Sequence, residues 1–367
     1  MEKERRDSMA TASSAIANSN TNSDPSSSGE SKNSHDSQFS LPHLLGIQDL
    51  SKAEICALVE EAAQFLEISD REIKKVPALR GKTIFNVFLE PSTRTRVSFE
   101  VAGKRLSADT INISSTGTSV KKGESLVDTA RTLQAMNPDI VVIRHQASGA
   151  ARFLAHMLQD TVIINAGDGK NEHPTQCLLD LLTLRKHFDK PLSELNGLNI
   201  SIIGDVLHSR VTKSNVWGHL KLGNNVRLVA PPTMAPEYIL SEKCFGVPEK
   251  DYSGSLSIHH TLSEGLKGAD VVMTLRPQLE RQDKSFIGSL DEYSYFYGLS
   301  REKLDRFCPN SVLLHPGPAT RGVEITGELM YENRSLMEDQ VKNGVAVRMA
   351  ALFRLGTTGT VNSSKDI

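Results

Sequence analysis

The feature that most constrains this chain is a succession of short apolar runs, each followed by polar residues and then, in most cases, by a segment of helical periodicity. The runs cover residues 84–89, 140–143, 162–165, 200–203, 227–230, 271–275 and 312–314. Helical patterns at 126–136 and 178–187 lie among them, and 51–66 reads as a first amphipathic helix with Ile55, Leu58, Val59, Ala62 and Leu66 on one face. Strands that are apolar throughout, rather than alternating, must be covered on both faces. Parallel strands joined by helices achieve this. The predicted fold class is therefore α/β. With 367 residues two domains are expected, each a doubly wound parallel sheet, with the active site in the cleft between them.

Chemistry-bearing residues cluster where the runs end. Run 84–89 leads into Ser92-Thr93-Arg94-Thr95-Arg96, and run 140–143 into Arg144 and His145. Run 162–165 is followed by a Gly-rich loop and His173-Pro174-Thr175-Gln176. Asp205, His208 and Arg210 come after 200–203, Arg276 and Gln278 after 271–275, and His315-Pro316-Gly317-Pro318 after 312–314. Open parallel sheets bind ligands beyond the carboxyl ends of their strands. One arginine after one strand is as easily a solvated cation, but the set taken together points to a site for anions.

Ser92 to Arg96 lies between a strand run and a helical pattern marked by Val97, Val101 and Leu106. A helix N-terminus offers N–H groups without intrahelical partners and a partial positive charge. A guanidinium matches two phosphate oxygens at once, and hydroxyls fill the remaining lone pairs. This density of donors points to a phosphate dianion. The plainer alternative is a solvated, well-capped helix start, which a lone Ser-Thr-Arg would favour.

A formal net charge of −2 argues against a general nucleic-acid binder, which needs a basic face. No apolar run reaches membrane-spanning length, so no membrane association is expected. Cys56, Cys177, Cys244 and Cys308 lack metal-ligand spacing and read as buried thiols of a reducing cytoplasm. His208, His219 and His259-His260 have no carboxylate or Cys at ligand spacing, so no metal is expected. Gly204-Asp205 lacks the glycine pattern of a dinucleotide loop, and no cofactor is expected. Residues 1–38 are dominated by Ser, Asn and acids and read as a disordered polar extension, with neither a secretory signal's apolar core nor a transit peptide's lack of acids. Residues 357–367 read as a polar tail. Gly117 and Gly123 mark the segment around Ser119-Val120-Lys121-Lys122 as a mobile loop, which on its own reads as a solvated basic turn.

Ser-Thr-Arg-Thr-Arg at 92–96 together with His-Pro-Thr-Gln at 173–176 resembles the carbamoyltransferase family, and the likeness extends over residues 39–356. Ornithine members typically carry Asp-x-x-x-Ser-Met-Gly before the last strand and His-Cys-Leu-Pro after it. Here those places hold Thr274-Leu275-Arg276-Pro277-Gln278 and His315-Pro316-Gly317-Pro318. A cation stands where the second substrate would lie, and no acid or thiol is available for a diamino acid. The chain therefore looks like the aspartate branch. Gly317 departs from relatives with Leu, which a working backbone carbonyl would tolerate.

The resemblance implies transfer of a carbamoyl group from carbamoyl phosphate to L-aspartate, an early step of pyrimidine synthesis. It makes Thr95, Arg144 and His173 the catalytic candidates. It implies that carbamoyl phosphate is held by Ser92, Thr93, Arg94, Thr95, Arg144, His173, Gln176, Pro316, Gly317 and Pro318. Aspartate falls to Lys122, Arg210, Arg276 and Gln278. Ser119 and Lys122 would come from a neighbouring subunit of a homotrimer, with regulatory or dihydroorotase chains as conceivable further partners. Arg96 is assigned a structural role. Ser92 has no adjacent base, so no covalent nucleophile is expected, and the departing phosphate takes the amine's proton. Residues 39–184 would form the carbamoyl-phosphate domain and 190–330 the aspartate domain, with helix 335–354 returning to the first. Competing readings are a carbamoyltransferase for another amino acid or derivative, and a catalytically silent partner subunit.

Overall fold

The computed structural model describes residues 41–114, 125–241, 252–282 and 286–358. The expected extension at 1–38, the loop residues Ser119 and Lys122, and Cys244 lie outside the described residues.

Helix α1 (Lys52–Ser69) leads into strand β1 (Thr83–Phe88), α2 (Thr93–Arg105), β2 (Asp109–Ser114), α3 (Leu126–Met136), β3 (Ile140–His145), α4 (Ala150–Met157), β4 (Val162–Asp168) and α5 (Pro174–Phe188). The strands form one parallel sheet in the order β2-β1-β3-β4. Then follow β5 (Asn199–Ile203), α6 (Arg210–Leu222), β6 (Asn225–Val229), β7 (Leu256–His259), α7 (Leu262–Leu266), β8 (Val271–Thr274), α8 (Leu290–Tyr297), α9 (Arg301–Phe307) and β9 (Val312–Leu314). These strands make a second parallel sheet, β7-β6-β5-β8-β9. Strand order reverses between β1 and β3 in the first sheet and between β5 and β8 in the second. Beyond the carboxyl ends of such strand pairs a crevice opens.

The sheets read as unbroken apolar runs because both faces are covered. Successive side chains point to opposite faces of a strand. Ile84, Ile140, Val142 and Ile164 join a core shared with Ile200, Ile202, Leu228 and Met273 of the second sheet and with the helices lying between. Phe85, Val87, Val141 and Ile143 face the other way, onto Ala130, Leu133 and Leu154 of α3 and α4. Ile203, Val229, Val272 and Leu313 do the same under Leu266 and Leu304.

Helix α5 is buried all along from Pro174 to Leu184, which is why its sequence lacks an amphipathic stripe. It packs against α1, α6 and the last helix, α10 (Met337–Thr358). Helix α10 also lies on α1 and α2, elements that flank β1. Lys221 of α6 donates to the carbonyls of Ile47 and Gln48, tying the second sheet's helix to the chain ahead of α1.

Several details differ from the sequence reading. Strands β2 and β7 do not appear among the apolar runs, because both are edge strands, half exposed, with polar residues along them. Strand β4 continues through what reads as a Gly-rich loop as far as Asp168. Helix α2 turns Phe99, Ala102 and Leu106 inward and leaves Val97 exposed. Thr357 and Thr358 belong to α10 rather than to a tail.

Candidate active site

Strand ends from both sheets meet at one carboxylate. Glu90 directly follows β1 and the half-buried Leu89. Its Oε1 accepts from Arg144 Nη2 at 3.0 Å, from Arg281 Nη2 at 3.2 Å and from Arg210 Nη2; Arg210 Nη1 donates to its Oε2 at 2.9 Å. Arg144 ends β3, while Arg210 opens α6 after β5 and Arg281 follows β8. The three arginine side chains are 11%, 3% and 17% exposed, so these ion pairs are shielded from water. Burial alone would raise the Glu90 pKa, but the Arg210 hydrogen bond and the surrounding guanidinium charges outweigh it and hold Glu90 below the usual carboxylate range. Burial, then the adjacent Arg210 charge, pulls Arg144 down to about 9, so it remains cationic at neutral pH.

Close backbone approach makes room for this cluster. Gly167 has φ +117°, and a Cβ there would lie 3.0 Å from the Arg210 guanidinium and 3.1 Å from Arg144 Nη1. Gly317 has φ +65°, and a Cβ there would stand 2.7 Å from Arg94 Nη2. Arg94 therefore lies against the Pro316-Gly317-Pro318 turn, bringing the first phosphate-type motif and the last strand end together. Its turn is braced from below: His315 Nδ1 accepts from Gly317 N at 2.8 Å, and His315 Nε2 meets the buried Glu324 at 3.1 Å.

Helix starts at the crevice differ from those elsewhere. Ser51, Ser125, Thr261, Ser289 and Ser300 each cap a helix by accepting from the N3 backbone. Ser92, His173 and Ser209, at the starts of α2, α5 and α6, make no side-chain cap. The well-capped reading of Ser92 is thereby excluded. These N-termini keep their partial positive charge unanswered by their own side chains, as an anion site requires.

His173 lies in the same cluster. Burial, and then the charges of Arg144 and Arg210, depress its pKa well below the ordinary value, so the imidazole is neutral. Nδ1 is buried without a partner among the described residues. The ring is set by its backbone, whose N–H donates to Ser214 Oγ at 2.9 Å; Ser214 in turn donates to Glu172 at 2.9 Å. Burial pushes Glu172 up to about 7, while it accepts from the backbone N–H of Ile47 and Gln48.

On the second sheet, Asp205 organises the strand ends. Its Oδ1 meets His208 Nδ1 at 2.7 Å, and its Oδ2 accepts from Gln278 N and Gln282 Nε2, each at 2.9 Å. Arg276 is paired with Glu280, one turn on, at 27% and 51% exposure. An exposed pair of this kind is worth roughly 0–1 kcal/mol, so an incoming carboxylate can displace it.

The structure thus brings Arg144, His173 and Arg210 together, and separately sets Arg94 against Gly317; Thr95, next to Arg94, and Gln176, one turn on from His173, are both buried. Ser92 and Thr93 sit on the uncapped start of α2. Arg210, read from sequence as one of the groups that clamp carboxylates, already holds the carboxylate of Glu90. Glu90, Arg281 and Asp180 escape a search for anion-binding groups: two are acids, and Arg281 closes a short 3-10 helix beyond the end of β8. Glu90 does stand at a strand end, which is the signal that could have found it. Among the described residues no cluster of His, Cys, Asp and Glu could hold a metal ion.

Comparison with known proteins places both halves. Residues 42–186 match the family model described as aspartate/ornithine carbamoyltransferase, carbamoyl-P binding domain. Residues 196–355 match the companion Asp/Orn binding domain. The aspartate carbamoyltransferase catalytic subunit of Magnetococcus marinus is 50% identical over 88% of this chain and 95% of its own. Aspartate transcarbamoylase from Trypanosoma cruzi, solved with N-(phosphonacetyl)-L-aspartic acid, superposes with TM-score 0.75 at 28% identity, covering 85% of this chain and 95% of that one. Ornithine carbamoyltransferase from Gloeobacter violaceus gives TM-score 0.71 at 30% identity over 86% and 98%. The fold is common to both branches, so the choice between acceptors rests on residues.

Proposed function

The chain belongs to the aspartate/ornithine carbamoyltransferase family, and on that basis we propose how its cleft carries out the reaction of the aspartate branch. The enzyme transfers the carbamoyl group of carbamoyl phosphate to the amino group of L-aspartate, giving N-carbamoyl-L-aspartate and phosphate, a step of pyrimidine synthesis. The observation that carries the acceptor assignment is Arg276 just past the end of β8, beside the strand-order reversal of the second sheet and held by the Glu280 pair and a 3.4 Å bond to the Pro277 carbonyl.

Carbamoyl phosphate binds with its phosphate on the start of α2, held by Ser92, Thr93, Arg94 and Thr95. The carbamoyl oxygen faces Thr95, Arg144 and His173. As the amine attacks, the C–N bond forms and that oxygen gains charge. Donors fixed before the reaction stabilise it without reorganising. A neutral His173 has one N–H to give; with Nδ1 sealed off, Nε2 is the nitrogen left to a ligand. The carbon–oxygen bond to phosphate then breaks, and the leaving phosphate takes the amine's proton. Gln176 and the carbonyls of Pro316 and Gly317 accept from the carbamoyl NH2, with Pro318 completing the turn. Arg276, Gln278, Arg210 and Lys122 hold the two carboxylates of aspartate. The first sheet and its helices, residues 39–184 with α10, form the carbamoyl-phosphate half, and 190–330 the aspartate half.

The proposal extends to a homotrimer in which Ser119 and Lys122 enter the neighbouring subunit's cleft, and to a cytoplasmic location. In support, the half-exposed edge strand β2 leaves Ile111 48% exposed directly ahead of that loop. No helix among the described residues is long and apolar enough to cross a membrane.

Arg276→Ala tests the division of labour. The aspartate KM should rise at least tenfold while the carbamoyl-phosphate KM stays within about threefold, since one charge-assisted bond contributes roughly 1.5–3 kcal/mol. Equal damage to both substrates would remove Arg276 from the acceptor site.

A further inference from the structure

Gln176 can recognise a carbamoyl NH2 only if its amide presents oxygen, not nitrogen, to the ligand. The two faces of an amide are nearly the same shape, so hydrogen-bond partners must decide. One turn further along α5, Asp180 Oδ1 accepts from Gln176 Nε2 at 2.9 Å. The same oxygen accepts from Gln340 Nε2 of α10 at 2.7 Å, and Asp180 Oδ2 accepts from Asn215 Nδ2 of α6 at 3.0 Å. Asp180 is fully buried, and burial pushes its pKa up to about 7, so in measurements made at pH 8.5 it is a carboxylate, which can only accept. It therefore turns the nitrogens of both glutamines toward itself. The Gln340 oxygen, pointed away, accepts from His315 N at 3.0 Å, and His315 Nδ1 then holds Gly317 N. One buried acceptor thus fixes the Gln176 amide and, through Gln340, the turn whose carbonyls complete the same subsite.

We propose that Asp180 is a positioning residue that makes the donor site selective for an amine-bearing acyl phosphate, by holding Gln176 with its carbonyl oxygen toward the ligand. This rests on the carbamoyl-phosphate reading of the cleft. Asp180 does not touch the substrate. Its effect is confined to ligands that carry the NH2 group, whereas a general packing role would affect all ligands alike.

Acetyl phosphate supplies the control, since it keeps the phosphate and the carbonyl but has a methyl group in place of NH2. The quantity read is the ratio of the acetyl-phosphate Kd to the carbamoyl-phosphate Kd, by calorimetry on the full-length protein. Asp180→Ala should lower that ratio at least tenfold, mostly through weaker carbamoyl-phosphate binding, with acetyl phosphate held within about threefold of its original affinity. Asp180→Asn should restore the ratio to within threefold of wild type. Its Oδ1 still accepts from both glutamines, and Asn215, whose Oδ1 has no partner among the described residues, can turn to accept from the new NH2 at the cost of its bond to the Val211 carbonyl. Gln176→Leu disturbs the fold least and should lower the ratio as Asp180→Ala does. In the Gln176→Leu background, Asp180→Ala should lower the ratio by less than a further threefold, the share carried through Gln340 and the turn it braces.

An unchanged ratio in Gln176→Leu or in folded Asp180→Ala overturns the inference. So does Asp180→Asn behaving like Asp180→Ala, which would make charge rather than acceptor geometry decisive. If wild type fails to bind carbamoyl phosphate, the functional reading itself falls; if wild type binds it and the variants leave the ratio unchanged, only the role of Asp180 does.

Discussion

Arg94→Ala is expected to remove carbamoyl-phosphate binding and with it turnover. Arg94 lies at the start of α2, a helix whose N-cap Ser92 makes no side-chain capping bond, and its guanidinium presses against Gly317 from the opposite sheet. A phosphate dianion placed there meets free N–H groups and a bidentate cation at once. Arg94 is exposed, so its removal costs what a charge-assisted hydrogen bond is worth, about 1.5–3 kcal/mol, roughly 13- to 160-fold in affinity. Calorimetry should show this loss, with thermal stability close to wild type because no buried partner is orphaned. The variant also probes the proposed homotrimer and its proposed shared site. Trimers of Arg94→Ala and of Lys122→Ala should each be nearly inactive. Trimers reassembled from a mixture should regain part of the activity, through clefts that combine an intact Arg94 with an intact Lys122 from the next chain. Unaltered carbamoyl-phosphate affinity would contradict the phosphate assignment. Verified mixed trimers without recovery would contradict the shared site.

Glu90→Gln is the second large effect. Glu90 hangs from β1, and two of its three arginine partners, Arg210 and Arg281, belong to the other half of the cleft. Removing its charge leaves Arg144 and Arg210 without their carboxylate, and Arg281 with only the charge of Glu280 near it. Breaking such a cluster on one side costs about 3–5 kcal/mol, roughly 150- to 5,000-fold. Much of that should appear as lost turnover and a raised aspartate KM, because Arg144 and Arg210 lose their fixed positions. Small-angle scattering should show a more open chain. Since the Glu90 pKa is depressed in the folded state, its contribution is fully present above the ordinary carboxylate range and disappears only as pH falls through the lowered value. Wild type should therefore keep this link throughout the neutral range. A Glu90→Gln enzyme with unchanged kcat and aspartate dependence would show that the cluster plays no part in catalysis.

Much of the fold is legible in the sequence, for physical reasons that also explain what is not. The inner strands are covered on both faces, so their apolar runs stand out; β2 and β7 lie at sheet edges, where one side is wet and polar residues cost nothing. Arg144, Arg210 and Arg276 stand out as candidates in the sequence because strand order and ligand binding are linked, and the reversals fall beside their strands. What sequence could not supply is pairing. That Arg210 is engaged with Glu90, that Arg94 meets Gly317, and that Asp180 collects three side-chain amides from α5, α6 and α10 are all facts of contact between distant segments. An acid is a poor clue in a search for anion sites, yet acids aim the donors here. The loop carrying Ser119 and Lys122 lies outside the described residues, and its role rests on family likeness alone.

The central claim is that this cleft joins a carbamoyl group to aspartate. Purified wild-type chain should be given carbon-labelled carbamoyl phosphate with a panel of acceptors that includes L-aspartate, L-glutamate, N-acetyl-ornithine and L-ornithine. Product would be identified by mass and phosphate release followed in parallel. Labelled N-carbamoyl-L-aspartate should form with one phosphate per product, and kcat/KM for aspartate should exceed that for any other acceptor at least 100-fold. Preferential carbamoylation of ornithine or another acceptor, or phosphate release without any carbamoylated product, would contradict the account.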